Sequence, residues 1–239
     1  MSDPSVSRET GVPVPAQART VAGDRVGLLT DYAALLADAG VTRGLIGPRE
    51  VPRLWERHLL NCAVVTDSVP LDSSVADVGS GAGLPGLVWA ICRPDLTVTL
   101  IEPLLRRVTF LNEAVDALGL TNVEVLRARA EDVHRQREFD VVGSRAVAPL
   151  DRLGAWCLPL VRRNGLMVAM KGSSAAEEIQ SAGASIARLG GGTPDLVEHG
   201  QGVVEPTTWA VLVKKQRSSA PVGSPRRRST GRKGRGRWG

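Results

Sequence analysis

The sequence predicts an α/β fold: a mainly parallel, seven-stranded sheet with helices on both faces, preceded by N-terminal helices. Three observations carry this expectation. From residue 71 onward, short apolar runs alternate with segments of helical periodicity, the pattern of strand–helix–strand units. The first of these runs ends in residues 77–86, DVGSGAGLPG, where a strand closes on glycines at alternate positions and then feeds a helix. The missing Cβ atoms allow a tight turn and let a ligand approach the main chain at the carboxyl end of the strand. A chain of 239 residues with 43% hydrophobic content is also long and apolar enough for one sizeable core with modest extensions.

Residues 1–20 are polar, carry three prolines and lack an apolar centre, so they read as a flexible leader and not as a signal peptide. A main domain is expected over 21–215, made of an N-terminal helical part (21–70) and the sheet-containing core (71–215). In the helical part, Val26, Leu28, Leu29, Tyr32, Leu35 and Leu36 share one face, with Gly40 as the stop signal. Trp55, Leu59 and Leu60 mark another helix, with Pro52 near its start. In the core, strands are expected at 74–78, 97–102, 123–126, 140–144 and 166–170, with a final hairpin of 196–204 and 208–213. Helices are expected at 85–92, 104–118, 153–161 and 175–189, with Gly119 ending the second of these.

The net charge of +5 is unevenly spread. Residues 214–239 hold ten basic side chains and no acidic one, which leaves residues 1–213 with 20 basic and 25 acidic groups. The folded body is therefore mildly acidic, and residues 216–239 read as a disordered basic tail attracted to polyanions. Its arginines suit RNA phosphates, and Trp238 suits stacking on a base. Cys62, Cys92 and Cys157 lie far apart with no histidine partner nearby, so neither a metal site nor a disulfide framework is expected. No apolar run reaches the roughly 18–20 residues that span a bilayer. The expectation is a cytoplasmic protein without a membrane segment.

The glycine stretch reads in two frames. From Gly81 it gives G-x-G-x-x-G, the dinucleotide fingerprint of an NAD-dependent oxidoreductase, but this frame starts two residues late relative to the strand. From Asp77 it gives D-x-G-x-G-x-G, which starts at the strand end, contains no lysine and sits in an acidic body. That frame favours a ligand without phosphates. Glu102, at the end of the second strand and 23 residues beyond Gly79, is placed to accept hydrogen bonds from the vicinal hydroxyls of a ribose. Ala130-Glu131-Asp132, after the third strand, offers carboxylates or a backbone amide to the edge of an adenine ring.

DVGSGAGLPG, TLIEPLLRRVTFLNEA, RARAED, FDVVGSRAVAPL and GLMVAMKG together resemble the class I S-adenosylmethionine-dependent methyltransferases, whose fold is Rossmann-like. With ERHLLNC (56–62) added, the chain is more narrowly similar to the small-subunit ribosomal RNA methyltransferase G family, also called glucose-inhibited division protein B. The resemblance runs from about residue 25 to 215 and leaves out the leader and the basic tail. It implies methyl transfer from S-adenosylmethionine to N7 of a guanine in the 530 loop of 16S ribosomal RNA, with the RNA or the small ribosomal subunit as partner and a monomeric enzyme. By position it also implies that Gly79, Gly81 and Leu84 touch the cofactor, that Ala130 and Glu131 hold its adenosine end, and that Arg145 lines the pocket.

Guanine N7 carries an in-plane lone pair and no proton, so its methylation asks for positioning and electrostatics, not a general base. Exocyclic-amine enzymes place Asn/Asp-Pro-Pro-aromatic after the fourth strand, whereas this chain has Ser144-Arg145-Ala146-Val147. Arg145 and Lys171 are the candidates for positioning the substrate, by contact with base or phosphate, and no residue is assigned to proton transfer. His58 reads as a helix-orienting or RNA-contacting group, Cys157 as buried and inert, and Trp55, Trp89, Trp156 and Trp209 as core. A non-enzymatic RNA-binding assembly protein, motivated by the tail, is the remaining alternative.

Overall fold

A computed structural model describes residues 13–145 and 148–217. Seven strands form one sheet: β1 (Ser74–Val78), β2 (Thr97–Ile101), β3 (Val123–Leu126), β4 (Phe139–Arg145), β5 (Val161–Lys171), β6 (Asp195–His199) and β7 (Thr208–Lys214). Their order is β3-β2-β1-β4-β5-β7-β6; the first five are parallel, and β7 runs antiparallel to both β5 and β6. The helices are α1 (Ala16–Ala22), α2 (Val26–Leu35), α3 (Leu60–Val64), α4 (Gly86–Cys92), α5 (Leu105–Ala117), α6 (Ala130–Val133), α7 (Leu150–Cys157) and α8 (Ala175–Arg188).

The sheet separates two apolar cores. Side chains from α1 to α5 pack on one face, with Val75, Val98, Val141 and Val168 from the strands. Those from α6 to α8 pack on the other, with Ala76, Val142, Met167 and Ala169. Successive strand residues thus feed opposite cores, which is why the central strands are apolar without interruption. Trp89 of α4 lies directly over Gly143 of β4, where a Cβ would stand 2.6 Å from the ring, and its Nε1 donates to the Cys62 carbonyl at 2.8 Å. The N-terminal helical part is thereby locked to the sheet beside the carboxyl end of β4.

Several boundaries differ from expectation for local reasons. α1 begins at Ala16, within the segment read as leader, because Ala18 and Ala22 are buried against the core. The helix expected at 153–161 stops at Cys157, where Pro159 removes a backbone donor, and β5 then starts at Val161. The early start shifts register against β4 between Phe139 and Val141. β6 ends at His199 instead of Val204, since Gly200 takes φ +84° and accepts the Val203 and Val204 N–H groups in a turn. Trp209 is 37% exposed and Trp156 half-buried, so only Trp55 and Trp89 of the four expected core tryptophans are buried. Of the basic tail, Gln216 and Arg217 are bonded to Gly190 and Ala187, while residues 218–239 lie outside the described residues.

Candidate active site

The loop between β1 and α4 turns on Gly79, Gly81 and Gly83, with φ of 74°, 60° and 95°. Its N–H groups point inward. Gly79 and Ser80 donate to the Ile101 carbonyl at 2.9 and 3.4 Å, Gly81 donates to Glu102 Oε2 at 3.0 Å, and Gly83 donates to the Ser80 carbonyl at 2.7 Å. A pyrophosphate site needs such groups aimed at the ligand, so the dinucleotide frame fails here and a ligand without phosphates fits. Gly79, Gly81 and Leu84 retain partial exposure, while Ser80, Ala82 and Gly83 are buried. The residues implied as cofactor contacts are those that give the loop an open face. Tyr32 of α2 supports it from below through a 2.6 Å bond to the Ala82 carbonyl.

Glu102 follows β2 directly and is 1% exposed. Its carboxylate accepts the Gly81 N–H, the Leu104 N–H at 3.1 Å and an Arg107 N–H at 3.4 Å. A carboxylate offers about four acceptor positions, so with this loop geometry roughly one is left for a ribose hydroxyl instead of the two expected. Asp77 sits beneath the same loop, fully buried. Its Oδ2 accepts the Gly86 N–H at 3.0 Å, its Oδ1 has no hydrogen-bond partner, and burial pushes its carboxyl up to about 7. Gly86 must be glycine, because a Cβ there would stand 2.7 Å from Asp77 Oδ2. An acid tied to the first amide of α4 fixes where the loop ends.

Ala130 and Glu131 open α6, at the carboxyl end of β3. Ala130 is buried and Glu131 exposed, and their N–H groups are among the first of the helix, which lack intrahelical partners. Arg145 stands at the end of β4, on the opposite side of β1 from Glu102. Its Nη2 donates to the Arg57 carbonyl at 2.9 Å and lies 2.7 Å from His58 Nδ1, and Nη1 is 3.5 Å from Cys62 Sγ. Together with Asn61 it lines a cavity of about 530 Å³ that extends to Pro149, Lys171, Gly172 and Thr208.

Lys171 does line that cavity, but it is not a free cation. Its side chain is 6% exposed, and Nζ donates to the Ala148 carbonyl at 2.6 Å and to Glu178 Oε2 at 2.7 Å. Glu178 also accepts the Leu150 N–H at 2.8 Å, so the pair clamps the segment after Arg145 onto α8. With these partners in place, contact of Lys171 with phosphate or base would require Nζ to leave them. Cys157 is buried, and burial pushes its thiol far above the ordinary range. Among the described residues, no cluster of His, Cys, Asp or Glu is arranged to hold a metal ion, and no helix is long and apolar enough to cross a membrane.

A glycine loop closed by an acid after β2, set in a sheet of order 3-2-1-4-5-7-6, defines a Rossmann-like class I methyltransferase. In agreement, a methyltransferase from Pyrococcus furiosus shares the fold with a TM-score of 0.50 at 11% identity, covering 67% of this chain and 86% of that one. The family model for GidB, rRNA small subunit methyltransferase G, matches residues 25–201. A ribosomal RNA small subunit methyltransferase G from Nocardioides sp. is 56% identical over 226 residues, covering 93% of this chain and 90% of the relative. One from Salinispora tropica is 54% identical over 222 residues, covering 90% and 92%. The chain belongs to the ribosomal RNA small subunit methyltransferase G family and is an S-adenosylmethionine-dependent enzyme.

Sequence reasoning placed the loop, Glu102 and Arg145 at one end of the sheet, but gave Asp77 and Asn61 no role of their own and did not join His58 to Arg145. Asp77 is the acid of the D-x-G-x-G-x-G frame, and its position inside the strand was the available signal. Asn61 and His58 lie in ERHLLNC, and nothing in their spacing shows that they meet the end of β4. That contact depends on α3 packing beside α4.

Proposed function

We propose that this chain transfers a methyl group from S-adenosylmethionine to N7 of a guanine in the 530 loop of 16S ribosomal RNA. The observation that carries this reading is the end of β4. There the chain presents Arg145, anchored by the ERHLLNC segment, in place of the amide–proline–proline platform of exocyclic-amine chemistry. Guanine N7 has no proton to remove, so the groups beside it need only position the base and stabilise charge.

The bound cofactor supplies a sulfonium methyl that a neutral ring nitrogen can attack. The chain's residues hold and orient. Gly79, Gly81 and Leu84 offer the open face of the loop, Glu102 accepts from the ribose, and the amides of Ala130 and Glu131 meet the adenine edge. Arg145, from the other side of β1, directs its uncommitted N–H groups to the base or an adjacent phosphate. Lys171 acts through Ala148 by holding the loop that follows Arg145. The same reading includes a monomeric, cytoplasmic enzyme and a basic tail that contacts RNA.

The test is a map of 7-methylguanosine in 16S ribosomal RNA from cells with and without the gene for this protein. Loss of one modified guanine in the 530 loop, restored by the wild-type gene, is the expected result. An unchanged map overturns the proposal.

A further inference from the structure

Arg145 is part of a chain of polar contacts. Its Nη2 lies 2.7 Å from His58 Nδ1, and His58 Nε2 lies 3.0 Å from Glu50 Oε2. A guanidinium can only donate, so Nδ1 must be the bare nitrogen of a neutral ring, and the single ring proton sits on Nε2 facing Glu50. Neighbours on both sides thus fix one tautomer. The bonds to His58, the Arg57 carbonyl and Cys62 Sγ leave the Nε hydrogen and one Nη1 hydrogen of Arg145 uncommitted. Arg145 and Asn61 also form the wall between two cavities, the one toward Lys171 and a second of about 640 Å³ lined by Glu50, Arg53 and Glu205.

We propose that His58 is a positioning residue for methyl transfer: as the neutral Nε2–H tautomer it holds Arg145 with its free N–H groups toward the RNA, and it releases Arg145 on gaining a second proton. This rests on the reading of Arg145 as a substrate-contacting group. An arginine left to itself samples many rotamers, and three fixed bonds remove that freedom before substrate arrives. A proton on Nδ1 would set N–H against N–H and one cation against another at the same 2.7 Å. The charged groups that line the cavity beside His58 are Glu50, Arg53, Glu56, Arg57, Arg145 and Glu205, of which Glu50 and Arg145 touch its ring. Burial, followed by the Arg145 charge, pushes the imidazole below its ordinary value against the opposing pull of Glu50. The neutral form therefore prevails at neutral pH, and the hold is lost on acidification.

The test uses the full chain, small ribosomal subunits lacking the modification, and labelled S-adenosylmethionine. Initial rates are measured between about pH 5 and about pH 8, with cofactor affinity measured by calorimetry as a check on folding. Asparagine carries an acceptor oxygen close to where imidazole carries Nδ1, whereas glutamine reaches the Nε2 position and lacks an acceptor at δ. The expected loss for His58→Gln and His58→Ala is roughly tenfold or more at neutral pH, the scale of one charge-assisted hydrogen bond, while His58→Asn restores the rate to within about threefold of wild type. The wild type should also show an acid limb that His58→Asn lacks, with cofactor affinity equal in all four proteins. Asparagine performing no better than glutamine, or an unchanged acid limb in His58→Asn, overturns the proposal. The underlying reading fails differently: Arg145→Gln would then match wild type, or wild type would methylate no guanine N7.

Discussion

Glu102 Oε2 accepts the Gly81 N–H at 3.0 Å, so the acid after β2 and the glycine loop after β1 are one unit. Glu102→Ala removes the acceptor for Gly81, Leu104 and Arg107 together. S-adenosylmethionine affinity should fall by about 10- to 100-fold, the worth of one or two hydrogen bonds to a charged group. Glu102→Gln, which keeps one acceptor oxygen, should fall less. Calorimetry showing equal affinity in all three proteins would remove Glu102 from the cofactor site.

Gly143 and Trp89 share a space with no room for a methyl group. A Cβ at position 143 would meet the indole at 2.6 Å, and the ring cannot slide away without breaking its bond to the Cys62 carbonyl. Gly143→Ala should cost about 1–3 kcal/mol in denaturant unfolding, the usual penalty of overpacking a core. A stability equal to wild type would mean that α4 shifts freely over the sheet.

Asp77 gives a stability signature with a defined sign. Its buried carboxyl holds its proton up to about 7, well above the range of an unfolded aspartate. The native state therefore binds more protons than the unfolded chain between about pH 4 and about pH 7, and stability falls as pH rises through that window. Asp77→Asn keeps an acceptor for the Gly86 N–H without the charge. It should exceed wild type by on the order of 4 kcal/mol near pH 8, and the gap should close near pH 4. Thermal melts at both pH values decide this; a gap that does not depend on pH contradicts the assignment.

The Lys171–Glu178 pair separates a clamp from a phosphate contact. Lys171→Met leaves the Ala148 carbonyl and the Glu178 carboxylate without their cation. Stability should drop by roughly 2–3 kcal/mol, less than for a fully buried pair because Glu178 is partly exposed. The salt dependence of RNA binding should stay as in wild type. A slope of log K against log salt reduced by about one would instead make Lys171 a phosphate ligand.

Ending the chain after Arg217 removes seven of the ten basic residues of 214–239 but keeps the bonds that Gln216 and Arg217 make to Gly190 and Ala187. RNA affinity at low salt should weaken and its salt dependence flatten, with S-adenosylmethionine affinity intact. Unchanged RNA affinity would end the tail's proposed role.

Much of this fold was legible because local signals agree with burial. The alternation of apolar runs and helical segments gave all seven strands, and positive-φ glycines sit where DVGSGAGLPG placed them. What escaped is non-local. β6 was drawn too long because Gly200-Gln201-Gly202 lies in a run that still looks partly apolar. Trp209 reads as core, yet it is 37% exposed on β7 between Lys171 and Glu198. Lys171 looked like a cation for RNA because sequence cannot show that Glu178, seven residues on, returns to meet it. Arg145 was placed at the right strand end, but its partners come from residues 83 to 88 positions earlier in the chain.

The antiparallel course of β7 has a consequence for how RNA is captured. Lys214 pairs with Leu166 while Trp209 pairs with Lys171, so Arg217 leaves the sheet at the end of the strands opposite Arg145. The two ends are separated along β5 by about 17 Å, from five residues at the rise of a strand. The 22 residues after Arg217 span at most about 75 Å when fully extended. That reach exceeds the separation several-fold, so if they bind RNA they raise the effective concentration of the ribosomal RNA around the enzyme. The tail would then govern how often a guanine is encountered, and the cleft would govern which guanine is methylated.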